Sequence, residues 1–519
     1  NAEQPNSRWY SGCGIYRNVW LTKLNPAHIA QWGTYVTAED VSKNSAQLKI
    51  RTKLQYDAEA QMADVVLQSR LVDADGNAVG EAVSEAQLMP LTPAEVEQEI
   101  HLKNPRLWSI DTPYMYRVES ILKDKQTGEV LDRYYTPTGI RTFRFDAQKG
   151  FILNGEQVKI NGVCMHHDLG CLGAAVNTRA IERQLEILKE MGCNGIRCSH
   201  NPPAPELLDL CDRMGFIVMD ETFDMWRKKK TRHDYSRYFN EWHERDLTDL
   251  IVRDRNHPSV LMWEPILNET RYPLDFALKA LEITKEEYPY PGRPIAAADV
   301  HSAGVKEHYE VVYGWPGDDE KEDKPEQCIF TREFGENVDD WYAHNNNNRA
   351  SRSWGERPLL IQALSLAKSY DEMYRTTGQF IGGAQWHPFD HQRGYHPDPY
   401  WGGIYDAFRQ KKYAYEMFRS QSPANLHHPL TECGPMVFIA HEMSQFSDKD
   451  VVIFSNCDSV RLSIYDGTKS WTKPVIHAKG HMPNAPVIFE DVWDFWEARG
   501  YSYTQKNWQK VNMVAEGII

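Results

Sequence analysis

The stretch RDRNHPSVLMWEPILNE, residues 253–269, decides how the rest of this chain is interpreted. Its polar beginning is typical of a helix end, and Pro258 breaks that helix because proline lacks a backbone N–H and restricts the preceding residue. Residues 259–263 form a short apolar run, as a strand buried on both faces does. Asn268 and Glu269 follow that strand, which in an α/β barrel is where active-site groups lie. Taken alone, these residues favour an ordinary surface loop by about four to one.

The region from residue 151 onward supports the barrel, because short apolar runs alternate there with helical patterns. Two of the helical patterns, 178–191 and 204–214, end at Gly192 and Gly215, as helices often do. Eight strands in about 270 residues is the size of a (β/α)8 barrel. The candidate strands are 158–163, 195–199, 216–220, 259–263, 295–300, 310–314, 328–332 and 380–385.

The flanking regions read as β-structure. Residues 47–54 alternate between polar and apolar side chains, and turn signals recur at Gly76 and Gly128. We therefore expect an immunoglobulin-like sandwich over residues 22–143, the barrel over 144–421 and an incomplete C-terminal β-sandwich over 430–519. Residues 8–21 read as the last strand of a further domain, and we expect both ends of the sequence to be cut.

Composition narrows the class of protein. The net charge of −15 argues against nucleic-acid binding, and no apolar run is long enough to span a membrane. The 9 cysteines form no CxxC pair or zinc-like spacing, and Cys193, Cys198 and Cys211 are expected to be buried as small hydrophobic residues. Nothing in the sequence determines whether the chain forms a homo-oligomer, or whether a bacterium would keep it in the periplasm or cytoplasm.

Polar and aromatic residues collect at the ends of the candidate barrel strands. Two of them, Glu269 after strand four and Glu333 after strand seven, are acids that could face one bond across the barrel. Glycoside hydrolysis uses such a pair, with carboxyl groups about 5–5.5 Å apart when the configuration is retained. Arg332 either keeps Glu333 ionised or forms an outward ion pair. The remaining strand-end groups are His166, His167, Asp168, Arg197, His200, Asn201, Asp220, Glu221, Asn268, Tyr313, Trp315 and Trp386.

These motifs resemble glycoside hydrolase family 2, which contains β-galactosidases, β-glucuronidases and β-mannosidases. RDRNHPSVLMWEPILNE is similar to its acid/base signature, and FILNGEQVKINGVCMHHD and GIRCSHNPP are similar to its first two barrel strands. NPRLWSIDTPYMY resembles its second domain, and FSNCDSVRL resembles a strand of its later sandwich. SRWYSGCGIYRNVWL looks like the end of its sugar-binding jelly roll, which would make residues 1–21 a remnant of that domain.

The resemblance implies an exo-acting retaining β-glycosidase. It makes Glu269 the general acid/base, Asn268 the partner of the sugar 2-hydroxyl and Glu333, in TREFGE, the nucleophile. Glu333 is preferred over Glu336 because it ends the apolar strand, whereas Glu336 follows the turn at Gly335 in a polar loop.

The resemblance also assigns residues around the terminal sugar. His166 and His200 would contact its hydroxyl groups, with Asn201 nearby. Tyr313 would orient the nucleophile, and Trp386, in GGAQWHPFD, would be the apolar floor on which the sugar stacks. No cofactor is implied; family members include cation-binding enzymes, but the sequence shows no ligand set for Mg²⁺.

The sequence departs from the family pattern at two sites. The segment between Trp263 and Glu269 is one residue longer than usual, with Leu267 in place of glycine, and the first strand reads CMHHD. An Asn-x-Lys pair for a uronic acid is not evident after Trp386. We therefore expect a neutral sugar, with β-galactosidase first and β-glucuronidase or β-mannosidase as alternatives; Arg393 and His391 keep an anionic or sulfated sugar open. A catalytically inactive carbohydrate-binding protein is the alternative from another class.

Overall fold

The computed structural model describes residues 3–266, 272–289, 296–297, 304, 306–335, 349–394, 399–428, 431–432, 434–504 and 510–519. The predicted multidomain class, an α/β barrel flanked by β-sandwiches, is confirmed. None of the helices in the described part of the chain is long and apolar enough to span a bilayer.

A β-sandwich precedes the barrel. Its two antiparallel sheets have the orders β1-β2-β5 and β4-β3-β6-β7, as in a seven-strand immunoglobulin-like domain. Alternate residues of β2 are buried because one face of each sheet packs on the other. The strands are β1 Ala27–Glu39, β2 Ser45–Tyr56, β3 Ala63–Val72, β4 Ala78–Leu88, β5 Ala94–Lys103, β6 Tyr116–Asp124 and β7 Val130–Thr138.

A small antiparallel sheet leads from the sandwich into the barrel. Its strands are β8 Phe143–Asp146, β9 Gly150–Leu153 and β10 Glu156–Gln157, in the order β10-β9-β8.

Eight parallel strands form the barrel sheet, in the order β14-β13-β12-β11-β18-β17-β16-β15. They coincide with the eight predicted strands to within two residues, apart from β15, of which only residues 296–297 of the predicted 295–300 are described. The strands are β11 Ile160–Met165, β12 Gly195–Cys198, β13 Ile217–Glu221, β14 Val260–Glu264, β15 Ala296–Ala297, β16 Val311–Tyr313, β17 Cys328–Phe334 and β18 Phe380–Gln385.

The helices α1 Thr178–Glu190 and α2 Pro205–Met214 confirm the two helical patterns read from the sequence. The side chain of Asn177 caps α1 by accepting from the Ala180 N–H. Gly215 ends α2 with φ 74°, a left-handed conformation suited to glycine. Cys193, Cys198 and Cys211 are buried, as predicted. The other helices are α3 Phe239–Asp254, α4 Leu274–Glu287, α5 Glu356–Tyr374, α6 Tyr413–Arg419 and α7 Phe495–Thr504.

The C-terminal region is again antiparallel. Two three-stranded sheets have the orders β21-β22-β25 and β24-β23-β26, and β19 pairs with β20. The strand predicted at residues 451–455 is β22. The strands are β19 His427–His428, β20 Thr431–Glu432, β21 Val437–Ile439, β22 Val451–Ser455, β23 Ser459–Ile464, β24 Lys469–Pro474, β25 Val487–Phe489 and β26 Met513–Ile518.

The segment before β1 differs from its prediction. No strand is assigned among the described residues 3–26, so the strand expected over residues 8–21 is wrong. Trp9 instead makes a single antiparallel bridge with Arg393, in the loop after β18. The reason is that the segment runs along a loop of the barrel, which offers it two backbone hydrogen bonds rather than a sheet edge.

Candidate active site

Arg197 is the centre of a buried cluster at the carboxyl ends of the barrel strands. Its guanidinium, fully buried on β12, donates from Nη1 to Glu333 Oε1 at 2.7 Å. Nη2 lies 3.0 Å from Glu221 Oε2, and Nε donates to Glu264 Oε2 at 3.3 Å. One planar guanidinium thus holds carboxyl groups from the ends of three strands, which suits its fan of donors.

The proton balance of this cluster follows from its burial. Burial, opposed by Arg197 and reinforced by the charge of Glu264, holds the pKa of Glu221 well above its usual value. The raised pKa means that burial favours the neutral form of the Glu221 carboxyl group. Glu333 is the member of the cluster that reaches solvent, with its side chain 17% exposed.

The rings of His166, His200 and Trp386 pack against one another, and His200 lies beside Glu333. The imidazole of His200 stacks on the Trp386 indole, with centroids 5.4 Å apart and planes 6° apart. His166 meets the same indole edge-on at 5.0 Å. His200 Nε2 lies 3.7 Å from Glu333 Oε1, while its Nδ1 is 2.9 Å from Glu221 Oε1. The ring of His200 is thereby fixed between the buried cluster and the pocket.

Both histidines are neutral. Burial, with the nearby His391, holds the pKa of His166 well below its usual value, and burial with the charge of Arg197 does the same for His200. A neutral imidazole has one donor and one acceptor nitrogen. His166 Nδ1 is paired with the Ser199 carbonyl oxygen at 2.9 Å, so its other nitrogen serves the pocket.

Trp9, in the N-terminal segment, packs on the two histidine rings, and sequence reasoning assigned it no role. Its indole stacks on His166, with centroids 5.0 Å apart and planes 18° apart, and meets His200 edge-on at 5.7 Å. Arg8 anchors the segment through an ion pair of 2.7 Å with Asp224 after β13. Only the spatial neighbourhood identifies Trp9, because nothing in its local sequence indicates where the segment lies.

Arg197 was named among the strand-end groups but was given no role, although the sequence carried a signal. It is a charged residue in a strand that is otherwise small or apolar, and a fully buried arginine needs acidic partners. Arg332, the cation expected beside Glu333, has its guanidinium 4.7 Å from the centroid of the Tyr313 ring. The hydrogen bond to Glu333 that the structure describes comes from Arg197 instead.

The remaining predicted site residues divide into two groups. Tyr313 ends β16, the neighbour of β17, and Asn201 follows β12, where its Nδ2 donates to the Pro202 carbonyl oxygen at 3.3 Å. Asn268 and Glu269 lie outside the described residues, as does Glu336. The distance between the carboxyl groups of Glu269 and Glu333 therefore stays a prediction.

One group among the described residues has the spacing of a metal site: His166, His387 and His391, whose candidate ligand atoms lie within 4.8 Å of one another. Both nitrogens of His387 are engaged, since Nε2 accepts from the His166 N–H and Nδ1 pairs with the Phe389 carbonyl oxygen. The charge of Arg393 acts on His166 and opposes a cation there. We assign no metal to this group.

The sandwich and the barrel that follows it match models of one known protein family. Residues 146–387 match the model of the family 2 glycosyl hydrolase TIM barrel domain, and residues 27–141 match a second model of glycosyl hydrolases family 2. The chain belongs to glycosyl hydrolases family 2.

Several named proteins are similar in sequence to this chain. Beta-galactosidase BoGH2A of Bacteroides ovatus is 65% identical over 263 residues, which are 51% of this chain and 31% of that protein. A beta-galactosidase of Thermoanaerobacter pseudethanolicus is 27% identical over 518 residues, 98% of this chain and 64% of that protein. A putative beta-glucuronidase of Formosa agariphila is 35% identical over 272 residues, 52% of this chain and 25% of that protein.

A solved structure with a similar fold supports the same family. A beta-glycosidase from Bacteroides vulgatus superposes with a TM-score of 0.76 at 26% identity, covering 94% of this chain and 64% of that one. The chain spans less than two thirds of the length of each of these relatives.

Proposed function

We propose that this chain carries the catalytic centre of an exo-acting β-glycosidase that retains configuration at the anomeric carbon. The observation that supports this most strongly is the hydrogen bond of 2.7 Å between Arg197 and Glu333, in a pocket built of His166, His200 and Trp386. A carboxylate with a fixed orientation beside an aromatic floor suits in-line attack on a stacked sugar. The substrate would be a glycoside with a terminal β-linked sugar.

The reaction would proceed by two displacements. Glu333 attacks the anomeric carbon while Glu269 gives its proton to the departing glycosidic oxygen, and a glycosyl–Glu333 ester forms. Glu269 then takes a proton from water, whose oxygen attacks the same carbon and releases Glu333 as a carboxylate. We expect the two carboxyl groups to lie about 5–5.5 Å apart, as this mechanism needs.

We propose galactose as the terminal sugar. The relative of 65% identity named above is a beta-galactosidase, and the Asn-x-Lys pair expected of a uronic acid binder is not evident after Trp386. The competing proposal, a β-glucuronidase, has the support of relatives at 35% and 30% identity that bear that name. Rates on nitrophenyl β-galactoside, β-glucuronide and β-mannoside separate these specificities. Sugar binding with zero turnover on all three would indicate an inactive binding protein.

The assignment of the nucleophile is tested by replacing Glu333 with alanine. We expect turnover to fall by roughly five orders of magnitude or more, because the covalent step is lost. Azide should restore it by entering the vacated space, and the product should be an α-glycosyl azide. Glu336→Ala is the matched control, with most of the rate intact. Rescue by azide at Glu336 in place of Glu333 would overturn the assignment.

A further inference from the structure

A cavity whose walls include His200 but not Glu333 lies between the N-terminal segment and the barrel. Its volume is about 330 Å³, at the lower end of the range of about 300–1,000 Å³ for small-molecule sites. The N-terminal segment, the sandwich, and the barrel with α3 all contribute to its walls. It is lined by Asn6, Ser7, Trp9, Trp32, His200, Asn201, Pro202, Thr222, Phe223, Asp224, Met225, Tyr235, Asp246, Asp249, Leu250 and Arg253.

Trp32 reaches this cavity through an irregular strand. The pairing of β1 with β2 shifts between Ile29 and Thr34, and Trp32 sits in the bulge with φ 52°. This left-handed conformation is costly for a residue with a side chain, and a bulge of this kind re-aims a side chain. The Tyr134 hydroxyl accepts from the Trp32 N–H at 3.2 Å and holds it. The sandwich thus presents an indole to the barrel at the expense of regular pairing.

The cavity presents aromatic surface beside hydrogen-bonding groups. The indoles of Trp9 and Trp32 lie on its walls with the phenol ring of Tyr235, which stacks on Phe223 at 5.1 Å. Asp249 is 51% exposed at its rim, so the cavity reaches the surface. Aromatic faces bind the C–H side of a sugar, and carboxylates accept hydrogen bonds from its hydroxyl groups.

Most charged groups around the cavity have an oppositely charged partner, which favours a neutral ligand. Asp224 is paired with Arg8 at 2.7 Å and with Lys230 at 2.8 Å. Asp249 pairs with Arg245 at 3.6 Å, and the phenol of Tyr235 donates to Asp246. Arg253 is held by the carboxylate of Asp254 at 2.6 Å. An anion or a cation would have to displace one of these partners, whereas a polyhydroxylated neutral molecule would not.

We propose that this cavity is a second binding site for a neutral sugar unit, separated from the pocket of Glu333 by His200 and Trp9. Trp32 is its stacking platform, and Asp249 accepts hydrogen bonds from hydroxyl groups at the rim. The site goes beyond the proposed hydrolysis, because none of the residues assigned to bond cleavage lies in its walls. Through His200 and Trp9, which line both spaces, a sugar here touches the wall of the catalytic pocket.

Calorimetric titration of the whole chain tests this proposal. The catalytic pocket is first saturated with a galacto-configured iminosugar, and methyl glycosides of galactose, glucose, xylose and mannose are then titrated. At least one should bind with one-to-one stoichiometry. Trp32→Ala should weaken that binding tenfold or more, and Asp249→Asn should weaken it severalfold. Trp242→Ala and Glu241→Gln, on exposed positions of α3 outside the cavity, are the controls and should leave it within twofold.

If none of the four glycosides binds, the proposal is overturned. It is also overturned if Trp32→Ala leaves the binding unchanged. The Trp32 comparison does not need the iminosugar, so the cavity is tested even if the catalytic pocket prefers another configuration. Trp32→Ala should keep the kcat for a nitrophenyl glycoside within twofold. If Trp32→Ala abolishes that turnover, the cavity belongs to the catalytic pocket and is no separate site.

Discussion

Arg197 joins three acidic side chains of this site. It is buried, and the desolvation that this costs is offset by contacts with Glu221, Glu264 and Glu333. Glu333 is the most exposed of these three carboxyl groups, so Arg197 holds it on the side that reaches solvent. The orientation of the proposed nucleophile therefore depends on a side chain from the opposite part of the barrel.

Replacing Arg197 with lysine should lower kcat/KM by roughly 10- to 100-fold. The ammonium keeps the charge, but it cannot donate in the plane of three carboxyl groups, and each hydrogen bond to a charged group is worth about 1.5–3 kcal/mol. Steady-state kinetics on a nitrophenyl glycoside measures this, with a thermal melt to show that the variant is folded. Arg332→Lys is the comparison, and a larger loss there than at Arg197 would contradict this account.

At the residue scale, sequence reasoning predicted His166, His200, Glu333 and Trp386 as site residues because each ends a barrel strand. The structure does bring these four side chains together. Sequence reasoning assigned no role to Arg197 or to Trp9. The role of Arg197 depends on which carboxyl groups face it across the barrel. The role of Trp9 depends on where the N-terminal segment packs on the barrel. Neither role can be predicted from the local sequence.

Among the elements, β14 has a defined anchor at its start. Asp212 on α2 accepts from the Ser259 N–H at 3.1 Å and from its hydroxyl at 2.6 Å, directly before the strand. Asp212 also binds His257 Nδ1 at 2.6 Å, and its carbonyl oxygen accepts from the Trp108 indole at 2.8 Å. This cluster ties α2, β14 and the loop after β5 together, and β14 leads toward Glu269.

Stability should therefore depend on the charge of His257. Burial opposes that charge, but the Asp212 carboxylate outweighs burial and raises the pKa of His257 to about 9. A raised pKa contributes stability that is fully present below about pH 6.5 and is lost as the pH rises through about 9. The contribution is about 3 kcal/mol at most, from 1.36 kcal/mol for each pKa unit.

His257→Gln should lower Tm at pH 6.5 by several degrees, and the difference from the parent chain should shrink between pH 7 and pH 10. Thermal melts monitored by circular dichroism at four pH values measure this. His477→Gln, an exposed histidine of the C-terminal region, is the control. A Tm difference that stays constant from pH 7 to pH 10 would show that His257 stabilises the fold through packing and not through its charge.

Element prediction succeeded where one rule governs a whole segment. The period of two in β2 and the short apolar runs of the barrel are set by burial, which the residues carry themselves. It failed for residues 8–21, whose aromatic and aliphatic side chains suit a strand. Pairing is decided by the neighbour, and here the neighbour is the loop at Gln392 and Gly394 rather than a sheet.

For the molecule as a whole, the proposed catalytic pocket is an assembly of two parts of the chain. The barrel supplies Glu333 and the rings beneath it, and the N-terminal segment supplies Trp9 above them. The segment is held by backbone hydrogen bonds from Tyr10 N–H to the Gln392 carbonyl oxygen at 3.0 Å and from Gly394 N–H to the Arg8 carbonyl oxygen at 3.3 Å. The fit between these parts should therefore control substrate affinity.

Gly394→Ala tests that fit with a single methyl group. A Cβ at this position would lie 2.4 Å from the carbonyl oxygens of both Ser7 and Trp9, so the segment would have to move. The backbone angle of Gly394 is not in the left-handed region, which leaves this contact as the cost of the change. We expect KM for a nitrophenyl glycoside to rise roughly tenfold, because a displaced Trp9 no longer covers His166, with a smaller change in kcat.

Limited proteolysis gives an independent readout of the same displacement, since a segment lifted from the barrel should be cleaved faster between residues 10 and 24. Gly434→Ala is the matched control, because an added Cβ there meets no atom within 4 Å. A Gly394→Ala chain with the parent KM and the parent cleavage pattern would mean that Trp9 keeps its position without this contact. In that case its stacking on His166, rather than the backbone pairing of the segment, holds the pocket closed.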